Sequence, residues 1–268
     1  MEKLDGVANT LYVPLYARIY VSKKFPEYFF DEMALKIGAQ LPVDISKGSF
    51  EYTNMASVAR YYNMDKMIIK FIKEHKICNI VILGIGLETT YDRITQKCGL
   101  GEVNYYGIDL PEVIEIRKKY FTERKQETLI AGDMFEMEWK DEIDTSISTL
   151  LIVSGVFQYF FEDKIIEFIK NLKKEFPYGE LIFDTTTKNG LKFTNWFIKK
   201  TGNPEALMHF YIEDSVNFSK KTDTILVEEL IFFKDARELL RKKLNFITKL
   251  FMKIADSKRQ TLIIHLKW

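Results

Sequence analysis

From residue 79 onward the chain alternates two hydrophobic patterns. Short, continuous apolar runs at 79–84, 103–108, 127–131, 146–154 and 179–184 read as strands buried on both faces. Between them, 88–97, 111–121 and 162–175 place apolar side chains at helical spacing. Such alternation predicts an α/β fold: a mostly parallel sheet with helices on both faces and the strand carboxyl ends gathered on one edge. Upstream, residues 10–40 are helical in pattern and rich in aromatic residues, with Asp31 placed to cap a helix over 32–37 that Gly38 ends. A long helix over about 53–74 carries Met55, Val58, Ala59, Tyr62, Met67, Ile68 and Phe71 at core spacings. The last third predicts helices near 190–201 and 214–221, a strand at 225–233, a basic amphipathic helix over 235–255 and a closing strand at 261–267.

The first strand runs straight into Gly84-Ile85-Gly86. Glycine there permits a left-handed backbone and leaves no side chain between the strand end and a ligand. About twenty residues on, the second strand ends in Asp109, a carboxylate placed to accept from ribose hydroxyls. Turn and acid together describe a nucleoside-binding crevice, although the turn alone also fits an ordinary strand-to-helix connection. A dinucleotide fingerprint wants a third glycine where this chain has Thr89, so NAD is disfavoured.

Composition narrows the classes. The chain has 268 residues, 47% hydrophobic and 29% charged, with a formal net charge of +1. That balance gives no global pull toward nucleic acid or an anionic membrane, and neither is expected as a partner. The basic helix (Arg237, Arg241, Lys242, Lys243, Lys249, Lys253) is diluted by Asp235, Glu238 and Asp256 and reads as a solvated outer face. The first residues lack the apolar core of a signal peptide, and no apolar run reaches the roughly eighteen residues that span a bilayer. Cys78 and Cys98 lack metal-ligand spacing and His75, His209 and His265 do not cluster, so a cytoplasmic protein with reduced thiols and no metal is expected.

Several strings then resemble one family. Leu83-Gly-Ile-Gly-Leu-Glu-Thr89, Tyr105-Tyr-Gly-Ile-Asp109-Leu-Pro-Glu-Val-Ile114 and Ile152-Val-Ser-Gly-Val-Phe-Gln-Tyr-Phe160 are similar to the leucine carboxyl methyltransferase-like signatures. Thr10-Leu-Tyr-Val-Pro-Leu-Tyr-Ala-Arg18 and Phe29-Phe-Asp31-Glu-Met-Ala34 resemble that family's bacterial branch of polyketide-type O-methyltransferases. The resemblance implies a Rossmann-like class I methyltransferase: a seven-stranded, mostly parallel sheet with an antiparallel last strand, S-adenosylmethionine as cofactor and S-adenosylhomocysteine as product. It divides the chain into a helical N-terminal cap over 1–75 and a cofactor-binding core over 76–268, with 186–222 contributing to the acceptor pocket.

The resemblance also implies contacts. Arg60 would pair with the methionine carboxylate, as a guanidinium suits. Gly84 and Gly86 would admit the methionyl part, Asp109 with Leu110 would hold the ribose, and Asp133 would accept from the adenine amino group beside Met134 and Phe135. Where the family usually carries glutamate, this chain has Ser154, which can hydrogen-bond near the sulfonium but brings no charge.

Methyl transfer is an in-line displacement for which the protein mainly aligns the nucleophile and excludes water. A carboxylate acceptor needs no base; a phenol, with a pKa near 10, benefits from one. His209 is the one histidine in a stretch that could line the acceptor pocket, and no general base is assigned. Tyr12, Tyr16, Arg18, Phe157, Tyr159, Trp196, His209, Phe210 and Tyr211 are the candidate acceptor-pocket residues. Together they favour a flat, apolar small-molecule acceptor. A protein C-terminal carboxyl methyltransferase and a non-catalytic cofactor-binding module are the rival readings.

Overall fold

In the computed structural model, which describes residues 11–41, 50–99, 101–201 and 207–268, the apolar runs form one seven-stranded sheet. Its strands are β1 (Ile77–Leu83), β2 (Glu102–Asp109), β3 (Glu127–Ala131), β4 (Thr149–Val153), β5 (Gly179–Thr186), β6 (Ile225–Ile231) and β7 (Thr261–Lys267). They stand in the order β3-β2-β1-β4-β5-β7-β6. Only β7 runs against its neighbours, pairing antiparallel with both β5 and β6. Chain order reverses between β1 and β4, and beyond their carboxyl ends such a sheet opens a crevice.

β1 is buried over all but its first residue, which is why it reads as an unbroken apolar run rather than an alternating one. Its side chains still alternate in direction. Ile80 and Ile82 join one core with Met55, Ile68, Met252 and Ala255, while Val81 and Leu83 join the other with Phe168 and Leu172.

The helices are α1 (Tyr12–Lys24), α2 (Glu32–Gly38), α3 (Glu51–Glu74), α4 (Thr90–Cys98), α5 (Pro111–Tyr120), α6 (Glu162–Glu175), α7 (Lys188–Thr201), α8 (Ser215–Lys221), α9 (Lys234–Leu239) and α10 (Phe246–Ser257). Asp31 caps α2 as its position predicts, accepting from the Ala34 N–H at 2.8 Å. The single basic helix expected over 235–255 is instead two, α9 and α10. Asn245 explains the break: its side chain accepts from the Thr248 N–H at 2.7 Å and starts a new helix, while Leu240 and Leu244 tuck the connecting turn into the core.

α3 matters for the site. Asn63 donates to the Phe232 carbonyl (2.9 Å) and Arg60 pairs with Asp184 (3.2 Å), both near the carboxyl edge of the sheet. The turns of α3 before Arg60 therefore stand above that edge.

Candidate cofactor and acceptor site

The turn after β1 takes the backbone that its glycines allow, with φ of +74° at Gly84 and +49° at Gly86. A Cβ on Gly84 would lie 2.5 Å from Val156 Cγ2, so both conformation and space call for glycine. The turn is tied to β2: the Gly86 N–H donates to Asp109 Oδ2 (2.7 Å) and the Leu110 N–H to Asp109 Oδ1 (2.8 Å). Each carboxylate oxygen keeps a free lone pair for a hydroxyl. Burial raises the Asp109 carboxyl above its ordinary value against the pull of those two N–H groups. From behind, the buried Arg117 donates to the carbonyls of Gly86 (3.1 Å) and Glu88 (2.6 Å). Its signal in the sequence is a cation on the same helical stripe as Val113 and Ile114.

Further along the edge, Gly132, Asp133, Met134 and Phe135 follow β3. Asp133 is exposed, and its Oδ1 accepts from the Phe135 N–H at 2.9 Å. Ser154 follows β4, and its Oγ is buried without a hydrogen-bond partner. Gly155, at φ +73°, donates its N–H to Asp184 Oδ1 (2.6 Å).

These groups surround a cavity of about 320 Å³. Gly84, Gly86, Asp109, Leu110, Asp133, Met134, Phe135 and Ser154 line it, with Arg18 and Tyr159 among the residues expected at the acceptor. Arg60 stands apart. It lies directly behind Gly155, where a Cβ would come within 2.6 Å of its Nη1, and its charge faces Asp184 rather than the cavity.

The other expected acceptor residues fall elsewhere. Phe157 and Phe210 are core residues: Phe157 packs among Phe168, Phe183 and Phe210 at 5.2–6.2 Å between ring centres, so the apolar ring has been drawn inward rather than toward a ligand. Tyr12, Tyr16 and Tyr20 share a stripe of α1, but the stripe that meets the cavity is Leu11, Pro14 and Arg18, more than a quarter turn away. Tyr12 turns instead to Tyr120, and its phenol is pushed up to about 12 by burial and then by that neighbour. Trp196 is about half exposed, and Tyr211 lies outside the lining. His209 is exposed and packs at a tilt on Phe161, with ring centres 4.5 Å apart. His75 packs on Phe71 and His265 contacts Glu180, so no histidine lines the cavity. Tyr61, Glu88, Glu112, Val156 and Phe160 line it without having been singled out in the sequence.

Behind the turn lies a buried ionic network that joins α1, α2, α3 and α4. Glu88 accepts from Arg18 Nη1 (2.9 Å), Arg93 Nη1 (2.5 Å) and the Thr89 N–H (2.7 Å). Arg93 makes a two-point contact with Asp65 at 2.9–3.0 Å, and Lys97 adds a second cation to Asp65 at 3.2 Å. Thr89 hydrogen-bonds Asp31, Arg18 and Arg93 through its hydroxyl. The residue that displaces a dinucleotide glycine is thus a polar hub between the N-terminal helices and the turn after β1. Burial alone would raise the Glu88 carboxyl, yet Arg18 and Arg93 prevail and hold it at about 2.

S-adenosylmethionine, the cofactor expected from the sequence, fits these residues. The two glycines leave the turn bare, Asp109 offers lone pairs, Met134 and Phe135 supply apolar surface, and the orphan Ser154 hydroxyl waits for a polar partner.

Comparison with known proteins agrees. Residues 15–173 match the leucine carboxyl methyltransferase family. A curated relative, the tetracenomycin polyketide synthesis O-methyltransferase TcmP of Streptomyces glaucescens, is 23% identical over 203 residues, covering 75% of this chain and 74% of that protein. Among solved structures, a methyltransferase-like protein from Thermobifida fusca superposes with a TM-score of 0.59 at 13% identity, covering 94% of this chain and 93% of the other. A DUF574-family protein from Streptomyces avermitilis gives a TM-score of 0.59 at 13% identity, covering 94% and 96%. These two likenesses establish the shared fold.

Proposed function

The chain belongs to the leucine carboxyl methyltransferase family, and on that premise we propose that it transfers a methyl group to an oxygen of a small, largely apolar acceptor of polyketide or aromatic type. S-adenosylmethionine is its cofactor, and when bound it supplies an activated sulfonium methyl and a ready leaving group.

The observation that carries the proposal is the character of the cavity wall. Leu11 and Pro14 at the start of α1, Tyr61 of α3, and Tyr159 and Phe160 after β4 enclose it with apolar and aromatic surface, as a flat organic acceptor requires and an extended peptide does not. TcmP, a polyketide O-methyltransferase, points the same way.

In this reading the chain's residues bind, orient and exclude water. Asp109 receives the ribose hydroxyls, the 84–86 turn accommodates the amino-acid tail, Asp133 accepts from the adenine, and Ser154 donates beside the reacting centre. Arg60 meets Asp184 through Nη1 alone, which leaves other guanidinium N–H groups for the methionine carboxylate. Alignment of acceptor oxygen and methyl for in-line displacement is then the main catalytic contribution. With no histidine at the cavity, a carboxylate, or a phenol ionised by its own substituents, is the acceptor best served. We place this work in the cytoplasm, with both cysteines free.

Calorimetry with S-adenosylhomocysteine and with NAD tests the binding half. Micromolar binding of the former, none of the latter and a loss of about tenfold or more in Asp109→Ala are expected, since a hydrogen bond to a charged group contributes about 1.5–3 kcal/mol. Turnover of labelled cofactor against phenols, aromatic carboxylic acids and a peptide ending in leucine tests the acceptor. Methylation of the peptide alone would refute the small-molecule proposal.

A further inference from the structure

The outer face of α10 is built the wrong way round for a solvated helix. Thr248, Met252 and Ala255 face the core, as expected, but the opposite arc presents Phe246, Ile247, Leu250 and Phe251 to solvent. Phe246 is 75% exposed and Ile247 63%. The patch continues onto α3: the Tyr52 ring lies 5.5 Å from Phe251, Glu51 accepts from the Asn245 N–H at 3.0 Å, and the exposed Phe50 stands one residue before it. Large apolar side chains gathered in this way mark an interaction surface rather than scattered exposure.

The charges around it say what the surface meets. Arg241, Lys242 and Lys253 are exposed and have no carboxylate partner among the described residues. The nearby acids are already engaged: Glu27 with Lys243, Glu51 with Lys24, Asp235 with Lys66 and Asp256 with Arg237; Glu238 makes no ion pair among the described residues. A second copy of the chain would press this patch against itself and bring like charges together. An anionic bilayer offers apolar depth for the rings and phosphates for the cations.

We propose that the exposed face of α10, with Phe50, docks on anionic lipid surfaces. It lies in the interface without spanning it; among the described residues no helix is long and apolar enough to cross a membrane. The proposal departs from the sequence expectation of a solvated face and no membrane partner. Because α10 begins against the first turn of α3, which stands above the carboxyl edge of the sheet, docking holds the cavity end of the molecule near the bilayer.

Flotation of the purified chain with phosphatidylglycerol–phosphatidylcholine vesicles and with pure phosphatidylcholine vesicles tests the proposal. Binding to the anionic vesicles, weakened by 0.5 M salt, is expected. Lys242→Gln/Lys253→Gln should lower the partition coefficient about 25-fold, at about fivefold for each cation. Phe246→Ser/Ile247→Ser should lower it at least tenfold. Both pairs are exposed, so thermal midpoints equal to wild type are the folding control. Absence of wild-type binding to anionic vesicles, or equal binding by the variants, would overturn the proposal. So would a concentration-dependent dimer in sedimentation velocity that Phe246→Ser/Ile247→Ser dissolves without any vesicle binding.

Discussion

Glu88→Gln removes one negative charge from a set of three cations and three anions, all buried except Lys97, and keeps the side-chain volume. Two independent magnitudes converge on its cost. Glu88 is held at about 2 against an ordinary 4.5, a difference of roughly 2.5 pKa units, which corresponds to about 3 kcal/mol of folding free energy. Breaking a buried ion pair from one side costs about 3–5 kcal/mol. Because the folded carboxyl lies below its unfolded value, this stability is complete above about pH 4.5 and is lost as the pH falls toward 2. Urea unfolding at pH 7 should therefore show the variant less stable by about 3 kcal/mol, with a thermal midpoint lower by about 6 °C. The gap between wild type and variant should close progressively below pH 4.5. A variant within 1 kcal/mol of wild type at pH 7, or a gap unchanged at pH 3, would refute the assignment of Glu88 as the charged centre of the contact between the N-terminal helices and the turn after β1.

Gly84→Ala forces an L side chain into φ +74° and against Val156, so a loss of about 1–3 kcal/mol is expected in urea unfolding, together with weaker S-adenosylhomocysteine binding. Phe157→Ala should cost about 3–5 kcal/mol, as a core truncation does. Lost turnover at full stability would instead return Phe157 to the acceptor pocket.

The sequence was most legible where one local rule decides. β1, the glycine turn and Asp109 declare themselves because a doubly buried strand must be apolar, its bare turn must be glycine and the carboxylate must sit at a strand tip. The capping of α2 by Asp31 is equally local. The acceptor side was less legible because it depends on rotation. Tyr12, Tyr16 and Tyr20 repeat at helical spacing, but the pattern does not say which stripe of α1 faces the cavity; packing turned Leu11, Pro14 and Arg18 inward instead. Phe157 and Tyr159 are two residues apart, yet one fills the core and the other lines the cavity. The ionic network was hidden for another reason. Arg18, Asp31, Asp65, Glu88 and Arg93 are separated by up to 75 positions, and only the fold brings them together. Thr89 carried a visible hint, a β-branched polar residue where a nucleotide turn wants glycine, but its role depends on Arg18 of α1 and on Asp31, the cap of α2.

That network has a consequence for transplanting specificity between relatives. A chimaera cut between the cap and β1 would carry Arg18, Asp31 and Asp65 from one parent and Glu88, Thr89 and Arg93 from the other. Any mismatch would strand a charge in the interior. The smallest exchangeable piece is therefore discontinuous: the first three helices together with the opening turn of α4.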